Sequence, residues 1–430
     1  MAMRKIFQQI IYDLRTQPVI GIVSVIGTAL AILLVMMSTI VYEIDYAPMA
    51  PESNRDRLLY DPAFYIGNDE SSICSSLSLH AIRKLYGGMK TPQVVAAVSR
   101  YFEPVDVASD NGKPVIVDLR RSDAEMWKVF DHTFLTGSPY TAADVAEGAD
   151  VAVIDESTAR NLFSSTDVVG RTVMVRGKAH RIRGVIRDVS PLMRLSYAQI
   201  WLPAVNDAGR FRDNRHTEMF GGYAAVFMGE TPASLPAIRE EARGINEDYN
   251  REIRHTGYQR IDCEAPHTQL AFSQVAGANN PPDMTSYYIT RGLLTAIFLL
   301  VPAINLSSMT QSRLRRRCHE IGVRRAFGAT RRGILLSILR ENLVVTLAGG
   351  IIGLILSLAG VWLFADTLFE VDTWQGVSSA LRVTGEMLFR WSTFGWALLF
   401  CLILNLLSAG IPAWRASRLN PVEAINQVED

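Results

Sequence analysis

Residues 18–42 read PVIGIVSVIGTALAILLVMMSTIVY, without one charged side chain. A hydrocarbon layer about 30 Å thick takes roughly 20 apolar helical residues to cross. Gly292–Ser312, Asn342–Ala365 and Trp391–Trp414 meet the same test, again without charge. The count predicts an α-helical membrane protein with four transmembrane helices. The first segment is longer than the apolar core of a signal peptide, and no small-x-small cleavage site follows it. It reads as a retained anchor over residues 18–46. The apolar fraction of 49% and mean hydropathy of +0.13 exceed those of a soluble chain but fall short of a chain made only of membrane helices. A soluble portion must accompany the spans.

Formal net charge is zero, so the total names no partner. Its distribution is informative. Arg4, Lys5 and Arg15 precede the first span. The link between spans two and three holds Arg313, Arg315, Arg316, Arg317, Arg324, Arg325, Arg331, Arg332 and Arg340, against Glu320 and, at its edge, Glu341. Arg415 and Arg418 follow the last span. The link between spans three and four holds only Arg382 and Arg390, against Asp366, Glu370, Asp372 and Glu386. Basic residues stay cytoplasmic. Both termini and segment 313–340 are therefore expected inside, with residues 47–286 outside. The expected divisions are a leader at 1–17, the first span, an extracytoplasmic domain at 47–286, a permease domain at 287–425 and a tail at 426–430.

The external stretch is long enough for a full domain. Val151–Ile154 reads as a short buried strand, and Asp155 as the cap of a helix over Glu156–Phe163. Arg171–Arg176 alternates apolar and polar, 176–178 is a turn, and Arg181–Val189 returns as a strand. A large extracytoplasmic α+β domain with hairpins is expected. It holds no G-x-S-x-G and no H-E-x-x-H, so no catalytic residue is assigned. Arg239–Arg243 reads as a solvated helix, and Asp131-His132 as a surface pair. Cys74, Cys263, Cys318 and Cys401 form no C-x-x-C. Cys74 and Cys263 share the external domain and are either a disulfide or two unpaired small side chains. The histidines are scattered, so no metal site is expected.

The segment Ser312–Leu335, SRLRRRCHEIGVRRAFGATRRGIL, extends span two, breaks at 327–330 and restarts as a helix with Thr330 as its cap. Charge alone allows an interfacial helix snorkelling its arginines to anionic lipid. The membrane accounts for the arginines, and no nucleic-acid partner is expected. Within the segment, Glu320–Arg332 (EIGVRRAFGATRR) resembles the signature of MacB/FtsX-type ABC transporter permeases. Ile411–Ile425 (IPAWRASRLNPVEAI) is similar to that family's closing motif. Gly148–Phe163, with Val169–Arg171, Gly184–Ile186 and Ile200–Pro203, resembles its periplasmic core domain. The match covers most of the chain from about 130 onward and is weakest over 48–125.

The resemblance implies a permease subunit in an inner (plasma) membrane. Its basic link is implied to dock on a separate ATPase chain through Glu320, Gly322, Arg324, Arg325, Gly328 and Ala329. No G-x-x-x-x-G-K-[ST] occurs, and the Gly-Lys pairs at Gly112 and Gly177 lack the upstream glycine and the hydroxyl. The chain is thus not expected to be an enzyme by itself or to hold a cofactor, ATP being bound by the partner. MacB itself carries a fused ATPase domain; with only a leader before span one, another chain is expected to supply it here. The implied action turns ATP hydrolysis into motion of the external domain, for export or extraction of a peptide, antibiotic or lipoprotein. Other implied partners are a second permease chain, identical or not, membrane lipids, and a periplasmic adaptor or outer-membrane component. Two rival readings are a membrane-anchored receptor or scaffold and an FtsX-like regulator of cell-wall hydrolases. The spans carry no charge for a transport pathway, in keeping with mechanical coupling. Gly349 and Gly353, with Gly360 two turns on, mark close helix approach, within one chain or between two.

Overall fold

The computed structural model describes residues 18–109, 112–205, 217–275, 280–297, 327–368 and 391–399, with 300, 304, 323 and 402–403. The chain divides into two units. One takes Met1–Val41, Ser286–Leu368 and Gly385–Asp430; the other takes Tyr42–Thr285 and Phe369–Thr384.

The second unit is the α+β portion. Its strands are β1 (Leu58–Asp61), β2 (Phe64–Gly67), β3 (Ser72–Leu77), β4 (Val94–Ser99), β5 (Glu103–Ser109), β6 (Val115–Ser122), β7 (Phe134–Gly137) and β8 (Val151–Asp155). They continue with β9 (Thr172–Val175), β10 (Lys178–Ile186), β11 (Ile200–Pro203), β12 (Phe220–Gly221), β13 (Tyr223–Met228), β14 (Gln259–Ile261) and β15 (His267–Thr268). After α1 (Pro18–Tyr46), which enters this unit from the other, come α2 (Leu79–Tyr86), α3 (Met126–Val129), α4 (Ala142–Glu147), α5 (Glu156–Phe163), α6 (Leu235–Ile253) and α7 (Gln269–Ser273).

Six of the strands close on themselves. β11 pairs with β8, β8 with β10, β10 with β9, β9 with β5, β5 with β6, and β6 with β11 again. The result is a small barrel, and alternation along each strand fills it. Val105 and Val107 of β5, Val117 and Leu119 of β6, Val173 and Val175 of β9, and Ile200 and Leu202 of β11 share one buried cluster. Ala152 and Ile154 of β8 join them, while Val153 between them belongs to the other core. Helix α5 sets Ala159, Leu162 and Phe163 against the barrel core where β8 ends. Asp155 caps that helix, its carboxylate accepting from Thr158 N at 2.8 Å.

The β9–β10 hairpin turns on Arg176 (φ +50°) and Gly177 (φ +78°). Two left-handed central residues suit the twist of a two-residue hairpin. β10 therefore starts at Lys178, paired with Val175, and ends at Ile186, earlier at both ends than the 181–189 read from the sequence.

The larger core lies over β1–β4 and β13, under α2 and α6. β13 is buried at every residue, as suits a strand covered on both faces. Helix α6 buries Ile238, Ala242, Asn246, Tyr249 and Ile253 at three- and four-residue spacing. Its other face carries the Arg243–Glu240 and Arg251–Asp248 pairs, the solvated face seen in the sequence. A buried network ties the strands together, with Arg260 Nη2 donating to Asp61 at 2.7 Å and to Tyr86 Oη at 2.8 Å. Cys74 and Cys263 are both free thiols. Burial and the neighbouring Cys263 push the Cys74 thiol up to about 11.

In the first unit, α8 (Arg331–Leu363) is one helix, running through the end of the basic link and the third expected span. A helix of four residues, α9 (Ala365–Leu368), follows. Among the described residues two helices are long and apolar enough to cross a membrane, Val25–Ile44 and Thr346–Leu363. Helix is present at 284–297 and 391–399, and most of the remainder of the two other expected spans lies outside the described residues.

Candidate functional site

The turn at 327–330, directly ahead of α8, is built around Gly328. Phe327 N donates to Val323 O at 3.1 Å. Gly328 then adopts φ +91°. A Cβ there would meet no neighbour among the described residues, and its left-handed conformation by itself favours glycine. Thr330 Oγ1 accepts from Gly333 N at 3.1 Å and caps α8, as its sequence position suggested. Phe327 at the tip is 89% exposed, and Ala329 beside it is exposed as well. Glu320, Gly322, Arg324 and Arg325 lie outside the described residues.

Helix α8 turns its small residues inward. Thr346, Gly349, Gly350, Gly353 and Ser357 are buried, whereas Ile351, Ile355 and Trp362 are exposed. Large apolar side chains outside and small ones inside are what a lipid-facing helix shows. The inner face meets α1 of the same chain. A Cβ on Gly349 would lie 2.7 Å from Thr28 Cβ, and one on Gly353 would lie 2.6 Å from the Ala29 carbonyl oxygen. At Gly360 the nearest atom would be Met37 Sδ at 3.4 Å, ordinary contact. Gly349 and Gly353 thus allow backbone approach that any side chain would prevent.

The C-terminal end of α1 is held by a buried ion pair. Arg55 and Glu52 are 1% and 2% exposed, with Nε and Oε2 2.6 Å apart. Arg55 Nη1 also donates to the Ile44 carbonyl at 2.7 Å and the Ala47 carbonyl at 3.1 Å. The last carbonyls of a helix lack partners within it and carry partial negative charge. A guanidinium satisfies both needs at once. Glu52 Oε1 accepts from Ser196 Oγ at 2.7 Å, which ties the clamp to the segment entering β11. Burial raises the Glu52 carboxyl, but the Arg55 charge and the Ser196 hydrogen bonds outweigh it and hold it below its ordinary value. The stability it contributes is present above the unfolded value near 4.5 and is lost as pH falls below it.

Comparison with known proteins settles the class. The MacB-like periplasmic core domain matches residues 19–245, and the FtsX-like permease C-terminal domain matches residues 292–421. The chain belongs to the MacB/FtsX permease family. It is similar to the uncharacterized ABC transporter permease YknZ of Bacillus subtilis, 25% identical over 363 residues, 83% of this chain and 81% of that one. It is also similar to the macrolide export ATP-binding/permease protein MacB of Sodalis glossinidius, 26% identical over 327 residues, 73% of this chain and 44% of that one. The permease spans less than half the length of that relative. Among solved structures, the extracellular domain of YknZ aligns at a TM-score of 0.34 and 17% identity, over 47% of this chain and 99% of that one. The periplasmic region of MacB from Actinobacillus actinomycetemcomitans aligns at 0.33 and 16%, over 47% and 88%.

Sequence reading missed the Glu52–Arg55 clamp in this permease. The pair sits in an ordinary polar run just past the first span, Pro51-Glu-Ser-Asn-Arg55, and only folding shows it buried. The Asp131-His132 neighbours part company. Asp131 accepts from Ser53 Oγ and Asn54 Nδ2 in the clamp loop. The His132 ring sits edge-on to Trp127 at 5.3 Å and Trp201 at 5.9 Å, with no hydrogen-bond partner at either nitrogen among the described residues. Burial drives its pKa down to about 4, against the pull of the Glu52 charge.

That burial predicts an acid instability. The unfolded chain protonates His132 near 6.5, the folded domain only near 4. As pH falls through that window the unfolded state takes up a proton the folded state refuses. Stability should decline by roughly 3 kcal/mol by pH 4. Denaturant unfolding of the permease in nanodiscs, followed by tryptophan fluorescence, should show this slope in the wild type and lose it in His132→Phe. An identical slope in both proteins would exclude His132 as its source.

Proposed function

We propose that this permease works with a separate ATP-binding chain, converting ATP hydrolysis on the cytoplasmic side into motion of its extracytoplasmic domain. The observation that carries the reading is the turn at 327–330. It presents an exposed phenylalanine directly ahead of a stiff helix, inside the segment that resembles the family's coupling signature. An exposed aromatic ring beside an arginine cluster is a surface that gains by docking. The absence of a phosphate-binding loop motif within these residues supports a separate ATPase. In this reading Glu320, Gly322, Arg324, Arg325, Gly328 and Ala329 form the contact, and four spans place both termini in the cytoplasm of an inner membrane.

The force path follows the helices. Motion at the link enters α8, passes to α1 across Gly349 and Gly353, and leaves through the Arg55 clamp. Two permease chains flank the path, and the cargo is a peptide, antibiotic or lipoprotein moved outward. The MacB relative named above is a macrolide exporter, which supports an export direction.

The test is association. The wild-type permease should co-purify with an ATP-binding protein, and Arg324→Glu with Arg325→Glu should abolish the complex. An undiminished complex in the double variant would remove the link from the contact.

A further inference from the structure

Among the described residues, the barrel has one mouth covered and one open. Helix α5 lies over the end where β8 stops. At the opposite end, where β8 and β10 begin and β6, β9 and β11 finish, there is an open cleft of about 230 Å³. Barrel mouths are recurrent ligand sites, although this one is smaller than the roughly 300–1,000 Å³ of drug-sized pockets. A water occupies about 30 Å³ of liquid, so the cleft holds roughly eight heavy atoms.

The walls have two characters. The floor is apolar and comes from the barrel core, with Val105, Leu119, Val175 and Leu202 lining it. The rim is charged. Arg176 pairs with Glu103, and Lys178 pairs with Asp150. Arg121 shares the inward side of β6 with Val117 and Leu119, and its Nη1 donates to the Pro203 carbonyl at 3.2 Å. Among the described residues it is the rim cation that no carboxylate neutralises. His180 lines the cleft and is only 7% exposed, yet its Nδ1 has no hydrogen-bond partner among the described residues. Asp150 Oδ1 lies 3.9 Å from that nitrogen, beyond hydrogen-bonding distance. A buried polar atom without a partner costs free energy that a ligand would recover.

We propose that this barrel mouth binds a small apolar carboxylate, with its chain on the valine and leucine floor and its carboxylate on Arg121 and His180. One unneutralised cation matches a monoanion, and a doubly charged phosphate would carry one charge in excess. A neutral imidazole with its proton on Nδ1 donates to a carboxylate oxygen. Arg121 supplies the charge-assisted partner. Burial keeps His180 neutral by lowering its pKa, against the opposing Asp150 charge, so the site does not need an acidic compartment. The carboxylate belongs either to a free short-chain acid or to the C-terminus of an apolar peptide. Both present the same headgroup.

The test uses the full chain in nanodiscs, with empty nanodiscs as the blank, and saturation-transfer NMR titrations of hexanoate, hexanamide and an acetylated tripeptide ending in leucine. At least one of the two carboxylates should bind saturably at one site per chain, and the tighter of them names the source. The hexanamide affinity should be about tenfold or more below that of the bound carboxylate, the scale of a hydrogen bond to a charged group. Arg121→Gln should lower that carboxylate's affinity by about the same factor, and Arg121→Lys should restore most of it. His180→Phe keeps the ring volume and should weaken binding severalfold. Saturable binding by neither carboxylate would overturn the proposal. So would equal affinity for hexanamide, or unchanged binding in both Arg121→Gln and His180→Phe.

Discussion

Arg55→Ala should cost the extracytoplasmic domain about 3–5 kcal/mol, the typical loss when one member of a buried ion pair is removed. Three consequences add in the same direction. Glu52, 2% exposed, would keep its charge with no counter-ion. The Ile44 and Ala47 carbonyls would lose the donor that reaches them. The guanidinium volume would become a cavity beside Met193, whose sulfur lies 3.2 Å from Nη2. Denaturant unfolding in nanodiscs should shift accordingly, and amide exchange should accelerate first at residues 44–60. A shift below about 1 kcal/mol would mean the pair behaves like a surface salt bridge.

A second variant separates holding the fold from transmitting force. Replacing both partners, Glu52→Leu with Arg55→Met, strands no charge and should recover most of the stability. It still leaves the end of α1 without its donor. Under the proposed function, this variant should fold, bind its ATPase and lose ATP-dependent movement of the external domain, read by cysteine cross-linking. Movement like that of the wild type would place the force path elsewhere.

How far the sequence reached depends on what each residue needed. Charge-free apolar runs were legible because a span imposes them on every residue in turn, and two of the four, at Val25–Ile44 and Thr346–Leu363, are long apolar helices among the described residues. Asp155 and Thr330 were legible as caps because a cap bonds three residues along its own chain. The hairpin at 176–178 was legible for the same local reason, and its strand boundaries were less so because cross-strand pairing sets them. Barrel closure was not legible: it depends on β6 pairing with β11, strands far apart in sequence. Lys178, His180 and Arg121 come to one mouth only through the strand pairing that closes the ring, so their juxtaposition was not legible either. The Glu52–Arg55 pair was hidden because burial, not residue type, makes it important. The G-x-x-x-G step showed in the sequence, but whether it faced its own chain or another did not.

Gly353→Leu is expected to be the most disruptive single change in the membrane helices. Even the first carbon of a side chain there would lie 2.6 Å from the Ala29 carbonyl oxygen and 2.9 Å from Ile32 Cβ. Real Cβ atoms do not come that close, so α8 must move away from α1 or the helices must bend. Neither obstacle is a flexible tip; one is backbone and the other is the branch point of a fully buried isoleucine. Overpacking of this kind costs about 1–3 kcal/mol even for small additions. In lipid no hydrophobic force between helices offsets it, because lipid chains solvate the separated faces equally well. Gly353→Ala should already lower the thermal midpoint in nanodiscs, with Gly349→Ala close behind. Gly360→Ala, which would meet only Met37 Sδ at 3.4 Å, should be tolerated and serves as the internal control. The ordering carries the test. If Gly353→Ala and Gly360→Ala melt together, the contact between α1 and α8 is not tight at these positions. If Gly353→Ala alone falls and ATPase stimulation falls with it, the glycine step carries force as well as holding the helices in contact.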